Sequence, residues 1–394
     1  MKDILENKVT QEHLNYRFQR QKKESDSIED IFDGNCYKKL TKRGGPLSSK
    51  YNFTYTFSFD GCPIGKSSKG TIWLIFATIN ELPPEMRASN MILIGVYVAE
   101  EEPEMNSLLK PFVNEANKLS KDGLEWKNAE NEIIVSKFIP CQCCADAIAR
   151  ARALNILQFN GKMGCNLCKH CTEKLEGVKQ RKYTMSDEVP EKRTHEETIE
   201  EMKKAAKECG PGKKNPKHIN GVKGPTFLMY LNFFNLISNV IVDPMHCIFL
   251  GVIRQYMDIL ITSVGEEFYI GSRKILEKIN KRINNIHPPS CIQRPPRSLF
   301  HRFKYKAKEW LIFLMYYSLP CLKGIIPEKY INHLSMLVRA VNILTSDSIS
   351  PDSLDEAEKL LLDFVVLFQE YFGKKHMSFN IHSLLHVVQW YEKL

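Results

Sequence analysis

Three runs dense in β-branched and aromatic residues, NFTYTFSFDG, GTIWLIFATI and NMILIGVYVA, follow one another between residues 52 and 99, separated by Pro and Gly. Large apolar residues alternating with small polar ones give the pattern of a half-buried strand, so the chain commits early to three consecutive strands. The first is expected to end on a turn at Asp60-Gly61. A helix follows in MNSLLKPFVNEANKLSKDG, where Leu108, Leu109, Phe112, Val113, Ala116 and Leu119 share one face and Gly123 closes it. EIIVSKFIP then reads as a fourth strand and CADAIARARALNIL as a second helix.

Three strands, a helix, a strand and a helix is the order of an α/β, ribonuclease-H-like core. At 394 residues and 43% hydrophobic content the chain exceeds what one such core needs. Residues 1–50 are charged and turn-rich and read as an extended N-terminal arm, and the core is expected over 51–171. A basic, Lys-rich linker occupies 172–225. A large, mainly α-helical insertion fills 226–375, and 376–394 begins a C-terminal core helix. Within the insertion Asp243 and Pro244 read as the cap and first residue of a helix running through Ile261. Ser353 and Glu356 read as the capping box of another, with Leu354, Ala357, Leu361, Phe364, Val365, Phe368 and Phe372 on its inner face and Gly373 at its end.

The first residues contain no apolar leader, so an intracellular chain with reduced cysteines is expected. Its twelve cysteines are then buried hydrophobes or metal ligands rather than a disulfide framework. The most apolar stretch, Val240 to Thr262, holds Asp243, His246, Arg254 and Asp258, which argues against a membrane span. The net charge of +9 favours an anionic partner.

Two ions of Mg²⁺ or Mn²⁺ acting on a phosphodiester need carboxylates from separate strands. Asp60, on the first strand, and Asp146, just past the fourth, have that placement, although Asp-Gly is also an ordinary turn and an Asp entering a helix is also a cap. Cys165 and Cys168, in GCNLCKHC, have zinc-knuckle spacing, with His170 and Cys171 near enough to compete. His382 and His386 lie one helical turn apart and complete a Cys₂His₂ count for Zn²⁺. Cys141, Cys143 and Cys144 read as packing, and Asp243 with His246 as a cap rather than a metal pair. In QRPPRSLFHRFKYKAKEW, Arg294, Arg297, Arg302, Lys304, Lys306 and Lys308 are interleaved with Phe300, Phe303 and Tyr305, a stripe that reads equally as a DNA contact or a solvated helix entry.

The strings SFDGCPIGKSS, ATINELPPEMR, ADAIARARALNILQFNGKMGCNLC, VDPMHCIFLGVIRQ, RPPRSLFHRFKYKAKEWLIFLMYYSLPCLKG and NIHSLLH together resemble the DDE transposase domain of animal transposase-domain-containing proteins, related to the CACTA group. The resemblance runs from about residue 30 to the end. It implies catalytic carboxylates at Asp60 and Asp146, structural zinc at Cys165, Cys168, His382 and His386, a DNA partner, homodimers as an allowed assembly, and a nuclear location without membrane attachment. It also implies a catalytic Glu on a helix after the histidine pair, where only VVQWYEKL stands, and Glu392 lies too close to His386 for that role. The expectation is therefore a C-terminally truncated, transposon-derived polynucleotidyl transferase that binds DNA without cleaving it. A domesticated zinc-stabilised scaffold for DNA or protein is the alternative, and a reading frame that continues past Leu394 would restore the enzyme.

Overall fold

The computed structural model describes residues 1–65, 70–186, 188–208, 218–290, 292 and 294–393, except the side chains of Trp390, Glu392 and Lys393. The protein is a mixed α/β chain made of two compact units. The first comprises residues 1–171, 189–242 and 389–394, and the second residues 172–188 and 243–388.

Among the described residues the first unit contains seven strands: β1 Phe53–Pro63, β2 Thr71–Ile79, β3 Ile92–Ala99, β4 Leu124–Lys127, β5 Ile133–Ser136, β6 Phe138–Ala145 and β7 Val240–Val242. Five of them form one sheet in the order β3-β2-β1-β6-β7. The β1–β2 and β2–β3 pairs are antiparallel, and β6 lies parallel to both β1 and β7. Strand alternation sends Phe53, Tyr55, Phe57 and Phe59 of β1 and Trp73, Ile75, Ala77 and Ile79 of β2 to one buried face. Against that face pack Leu109, Val113 and Ala116 of the Met105–Lys121 helix, whose Phe112 ring lies 4.9 Å from that of Phe57.

Two local expectations change. Asp60-Gly61 is not a turn: β1 continues to Pro63, because β2 pairs with it through Gly61↔Trp73 and Pro63↔Thr71. EIIVSKFIP is not one strand either. Ile133–Ser136 pairs with β4 in a separate two-stranded sheet, and Phe138–Ala145 then joins the main sheet. That second strand carries Cys141 and Cys143, both fully buried, so the packing reading of those cysteines stands.

Residues 1–50 do not form an extended arm. They fold into short helices at Lys2–Glu6, Lys8–Gln11, Tyr16–Gln19 and Asn35–Leu40, and Ile31, Phe32, Tyr37 and Leu40 pack on Ile139 and Cys141 of β6. Several of their charges, those of Arg17, Arg20, Asp30 and Asp33, are paired inward. Glu81, fully buried, accepts from the Tyr37 hydroxyl at 2.8 Å and the Thr54 backbone N–H at 2.8 Å, and Arg17 lies 3.5 Å away. Burial raises the Glu81 carboxyl above its usual range, against the pull of Arg17. The stretch read as a basic linker likewise contains a helix, His195–Glu208, and its residues 209–217 lie outside the described ones.

The second unit is helical. Met245–Ile253 opens with wide π-type turns and runs on into Arg254–Thr262, followed by Arg273–Asn285, Glu328–Leu344, Pro351–Phe372 and Phe379–Ser383. Its centre is aromatic, with Tyr256, His333, Phe364, Phe368 and Phe372 in mutual ring contact. The Pro351–Phe372 helix buries all seven residues expected on its inner face. Its cap is Ser350, with Pro351 in the first turn, rather than a Ser353–Glu356 box, so the helix starts three residues earlier than the sequence pattern indicates. Met245–Thr262 is long and apolar enough by length and composition to cross a membrane, and 56% of it is buried inside the protein.

Candidate metal centre

Cys165 and Cys168 sit in a loop that only glycine can enter at residue 164, where a Cβ would meet the Gln158 carbonyl oxygen at 2.2 Å. The Leu167 N–H points back at the Cys165 Sγ, 3.4 Å away, as in a short turn closing on a thiolate. A second segment holds this loop from outside. The Lys169 N–H donates to the Glu191 carbonyl at 2.8 Å, and the Arg193 N–H to the Leu167 carbonyl at 2.9 Å. The Arg193 side chain, 5% exposed, donates from Nε to the carbonyl oxygens of Cys165 at 3.0 Å and Cys168 at 3.3 Å, while its Nη1 pairs with buried Glu201 at 3.1 Å.

His382 lies on the Phe379–Ser383 helix, capped by Ser378, and His386 ends the 3₁₀ turn Leu384–His386 that continues it. Both are buried, with Nε2 atoms 3.3 Å apart. Tyr183 stacks on the His382 ring with centroids 4.7 Å apart, and its N–H donates to the Met377 carbonyl at 3.0 Å. Nothing in the sequence marks Arg193 or Tyr183 as part of this site. Neither stands in a spacing motif, and a buried arginine gives no periodic signal.

The ligand atoms of Cys165, Cys168, His382 and His386 all lie within 4.8 Å of one another, and all four residues are buried. A tetrahedral zinc with bonds of about 2.0–2.3 Å sets its ligand atoms roughly 3.3–3.8 Å apart, and the 3.3 Å between the two imidazole nitrogens matches its nitrogen–nitrogen edge. The donor set is soft sulfur with imidazole, which suits zinc and not Mg²⁺. The hydrogen bond with Cys165, followed by burial, raises the Cys168 thiol well above its ordinary value. A divalent cation bound here would therefore release protons. His170, buried, and Cys171, exposed, stand outside this group of four.

Asp60, within β1, and Asp146, one residue past the end of β6, occupy equivalent register positions along these neighbouring parallel strands. Ser58 pairs with Cys144 at the end of the β1–β6 ladder, and each aspartate lies two residues beyond. Asp60 is exposed on the face opposite Phe57 and Phe59. Asp146 caps the Ala147–Ala153 helix, its Oδ1 accepting from the Ala149 N–H at 2.7 Å. Among the described residues no group of three or more Cys, His, Asp or Glu forms around this pair, and the Glu392 side chain lies outside those residues. Asp243 accepts from the Met245 N–H at 2.7 Å and contacts His246 Nδ1 at 2.5 Å, which fits its reading as a cap.

The basic stripe is divided. Arg297 pairs with Glu309 at 2.7 Å and Arg302 with Asp258 at 2.9 Å, so both serve the fold of the second unit. Arg294, Lys304, Lys306 and Lys308 are exposed. No protein-family model matches the chain, and no curated protein is significantly similar to it.

Proposed function

We propose that this chain is a DNA-binding protein of DDE-transposase descent, with a ribonuclease-H-like core, a structural zinc and no strand-cleaving activity. The observation that carries the reading is the strand order β3-β2-β1-β6-β7 with Asp60 and Asp146 in register beyond the paired ends of β1 and β6. That topology would bring two carboxylates to the same end of two adjacent parallel strands, where metal-dependent phosphoryl transfer would need them. Asp146 already spends one oxygen on a helix cap, and no third ligand joins the pair among the described residues. Two Mg²⁺ or Mn²⁺ ions would be under-coordinated there, so the core is proposed to bind without cutting. DNA as the partner gives the protein a nuclear location.

Zinc would be held by Cys165, Cys168, His382 and His386. Four protein ligands leave no open position for water, and a site without one stabilises structure rather than performing chemistry.

The test is a nicking assay on supercoiled plasmid with Mg²⁺ and then Mn²⁺, beside a measurement of zinc content. We expect no nicking and one zinc per chain, lost in the Cys165→Ser/Cys168→Ser double variant. Metal-dependent nicking that Asp60→Ala abolishes would overturn the inactive reading; unchanged zinc content in the double variant would overturn the metal site.

A further inference from the structure

The positive charge of this protein is unevenly distributed, and one segment is especially rich in it. Residues 273–308 contain eleven Lys and Arg against one Glu, a net +10, whereas the whole chain carries 55 against 46, a net +9. Everything outside those thirty-six residues therefore sums to one negative charge. The segment lies within the second unit.

Part of this charge is internally committed. Arg282 donates to the Cys321 carbonyl at 2.9 Å, Arg273 pairs with Glu277 at 2.9 Å, and Arg297 and Arg302 are held as described above. The lysines are placed differently. On the Arg273–Asn285 helix, Leu276, Ile279 and Ile283 are buried, while Lys274, Lys278 and Lys281 are exposed. Those three fall at i, i+4 and i+7, which is one ridge of an α-helix, about 10 Å long at 1.5 Å per residue. The Leu299 N–H donates to Asn280 Oδ1 of this helix at 2.8 Å, which sets the 3₁₀ turn Leu299–Lys304 against it.

That turn carries two rings with little to cover them. Phe300 is 45% and Phe303 65% exposed. Side chains three residues apart on a 3₁₀ helix eclipse one another, about 6 Å apart along its axis. The Arg302 guanidinium lies over one face of the Phe303 ring, 4.0 Å from its centroid, so that face carries a cation and the stacking step falls to the other. Exposed Lys304, Lys306 and Lys308 continue the charge beyond the rings.

We propose that this surface is a binding site for an unpaired nucleic-acid strand, a proposal that rests on the nucleic-acid reading above for the class of partner. The lysine ridge neutralises phosphates, and Phe300 and Phe303 stack on two bases. A duplex would satisfy the lysines but hides the faces of its bases, and only an unpaired strand offers both features at once.

The test uses the full chain and fluorescence anisotropy with a labelled oligothymidine and a duplex of equal length, at low and physiological salt. The parent is expected to bind oligothymidine more tightly. Lys274→Glu/Lys278→Glu/Lys281→Glu should weaken both ligands by at least about tenfold and flatten the salt dependence. Phe300→Ala/Phe303→Ala should weaken oligothymidine about tenfold, as loss of roughly 1.4 kcal/mol of stacking predicts, and the duplex less than about twofold. Circular dichroism melting of each variant establishes that it is folded. If the parent binds neither ligand, this site and the nucleic-acid reading both fail. If it binds and both variants bind equally well, the site alone is wrong, and a tighter duplex or equal losses in the phenylalanine variant overturn the unpaired-strand specificity.

Discussion

The Nε of Arg193 lies 3.0 Å from the carbonyl oxygen of Cys165, and 3.3 Å from that of Cys168, so one buried guanidinium fixes the backbone of both cysteines. Outer residues that orient metal ligands change affinity by about 10–100-fold when removed. Arg193→Ala should weaken zinc binding by about that factor in competition with a chromophoric chelator. It should also destabilise the fold by about 3–5 kcal/mol, because Glu201 loses its buried partner. Arg193→Lys, which keeps the charge and loses the fork, should recover stability more than zinc affinity. Equal zinc affinity in all three proteins would show that Arg193 does not orient the loop.

At Gly61 a Cβ would lie 2.4 Å from the indole ring of Trp73. The indole Nε1 donates to Glu102 at 2.8 Å, so the ring is tethered and cannot swing away without breaking that bond. Gly61→Ala should cost about 1–3 kcal/mol as overpacking and shift the tryptophan emission. An unchanged melting temperature and spectrum would mean that β1 accommodates the methyl group.

His333 is fully buried, stacked on Phe364 with centroids 4.3 Å apart, and its Nε2 donates to the Phe364 carbonyl at 2.9 Å. Burial lowers its pKa to about 4, the hydrogen bond to Phe364 opposing the shift. The unfolded chain therefore takes up a proton near pH 6.5 that the folded chain refuses. The stabilisation is complete above pH 6.5 and is lost as pH falls toward 4, by up to about 3 kcal/mol. Denaturant titrations across that window should show the loss, and His333→Gln should flatten it. A variant with the parent's full pH dependence would assign the titration to another group.

Asp33 behaves differently, at more acid pH. Burial pushes its carboxyl up, but hydrogen bonds from Arg20, the Glu29 backbone and Lys22 outweigh that and lower it to about 2. Its contribution is complete above the unfolded value of about 3.9 and disappears as pH falls toward 2, with about 2 kcal/mol as the upper bound. Asp33→Asn should remove most of it at neutral pH and leave a shallower acid limb below pH 4. An acid limb identical to the parent's would show that Arg20 and Lys22 contribute nothing through Asp33.

What the sequence revealed depended on periodicity. The long, regularly patterned elements, such as Pro351–Phe372 with its seven buried residues, were legible because a 3.6-residue period needs only local information. The buried Cys₂His₂ cluster that could hold a metal was legible for a similar reason, since Cys165 with Cys168 and His382 with His386 each announce themselves by spacing. The N-terminal fifty residues were misread because their charges look solvated until partners such as Asp30 with Arg87 and Arg20 with Asp33 are known. β7 was invisible as a strand: three residues, Val240–Val242, are too few to show alternation, and only parallel pairing with β6 defines them.

The sheet of the first unit imposes a timetable. Phe53 pairs with Phe138, and Cys143 with Val240, so its two parallel ladders join positions about 85 and 97 residues apart. Such ladders gain nothing until a long loop has closed, and chains dominated by them fold in milliseconds to seconds or more slowly, whereas local helices form in microseconds. The hairpin of β1 and β2 can assemble at once, but its free β1 edge must wait for β6. During that wait the edge of β1 is open to strands from other molecules, which makes dilute, cool refolding the condition under which this protein should be recovered best.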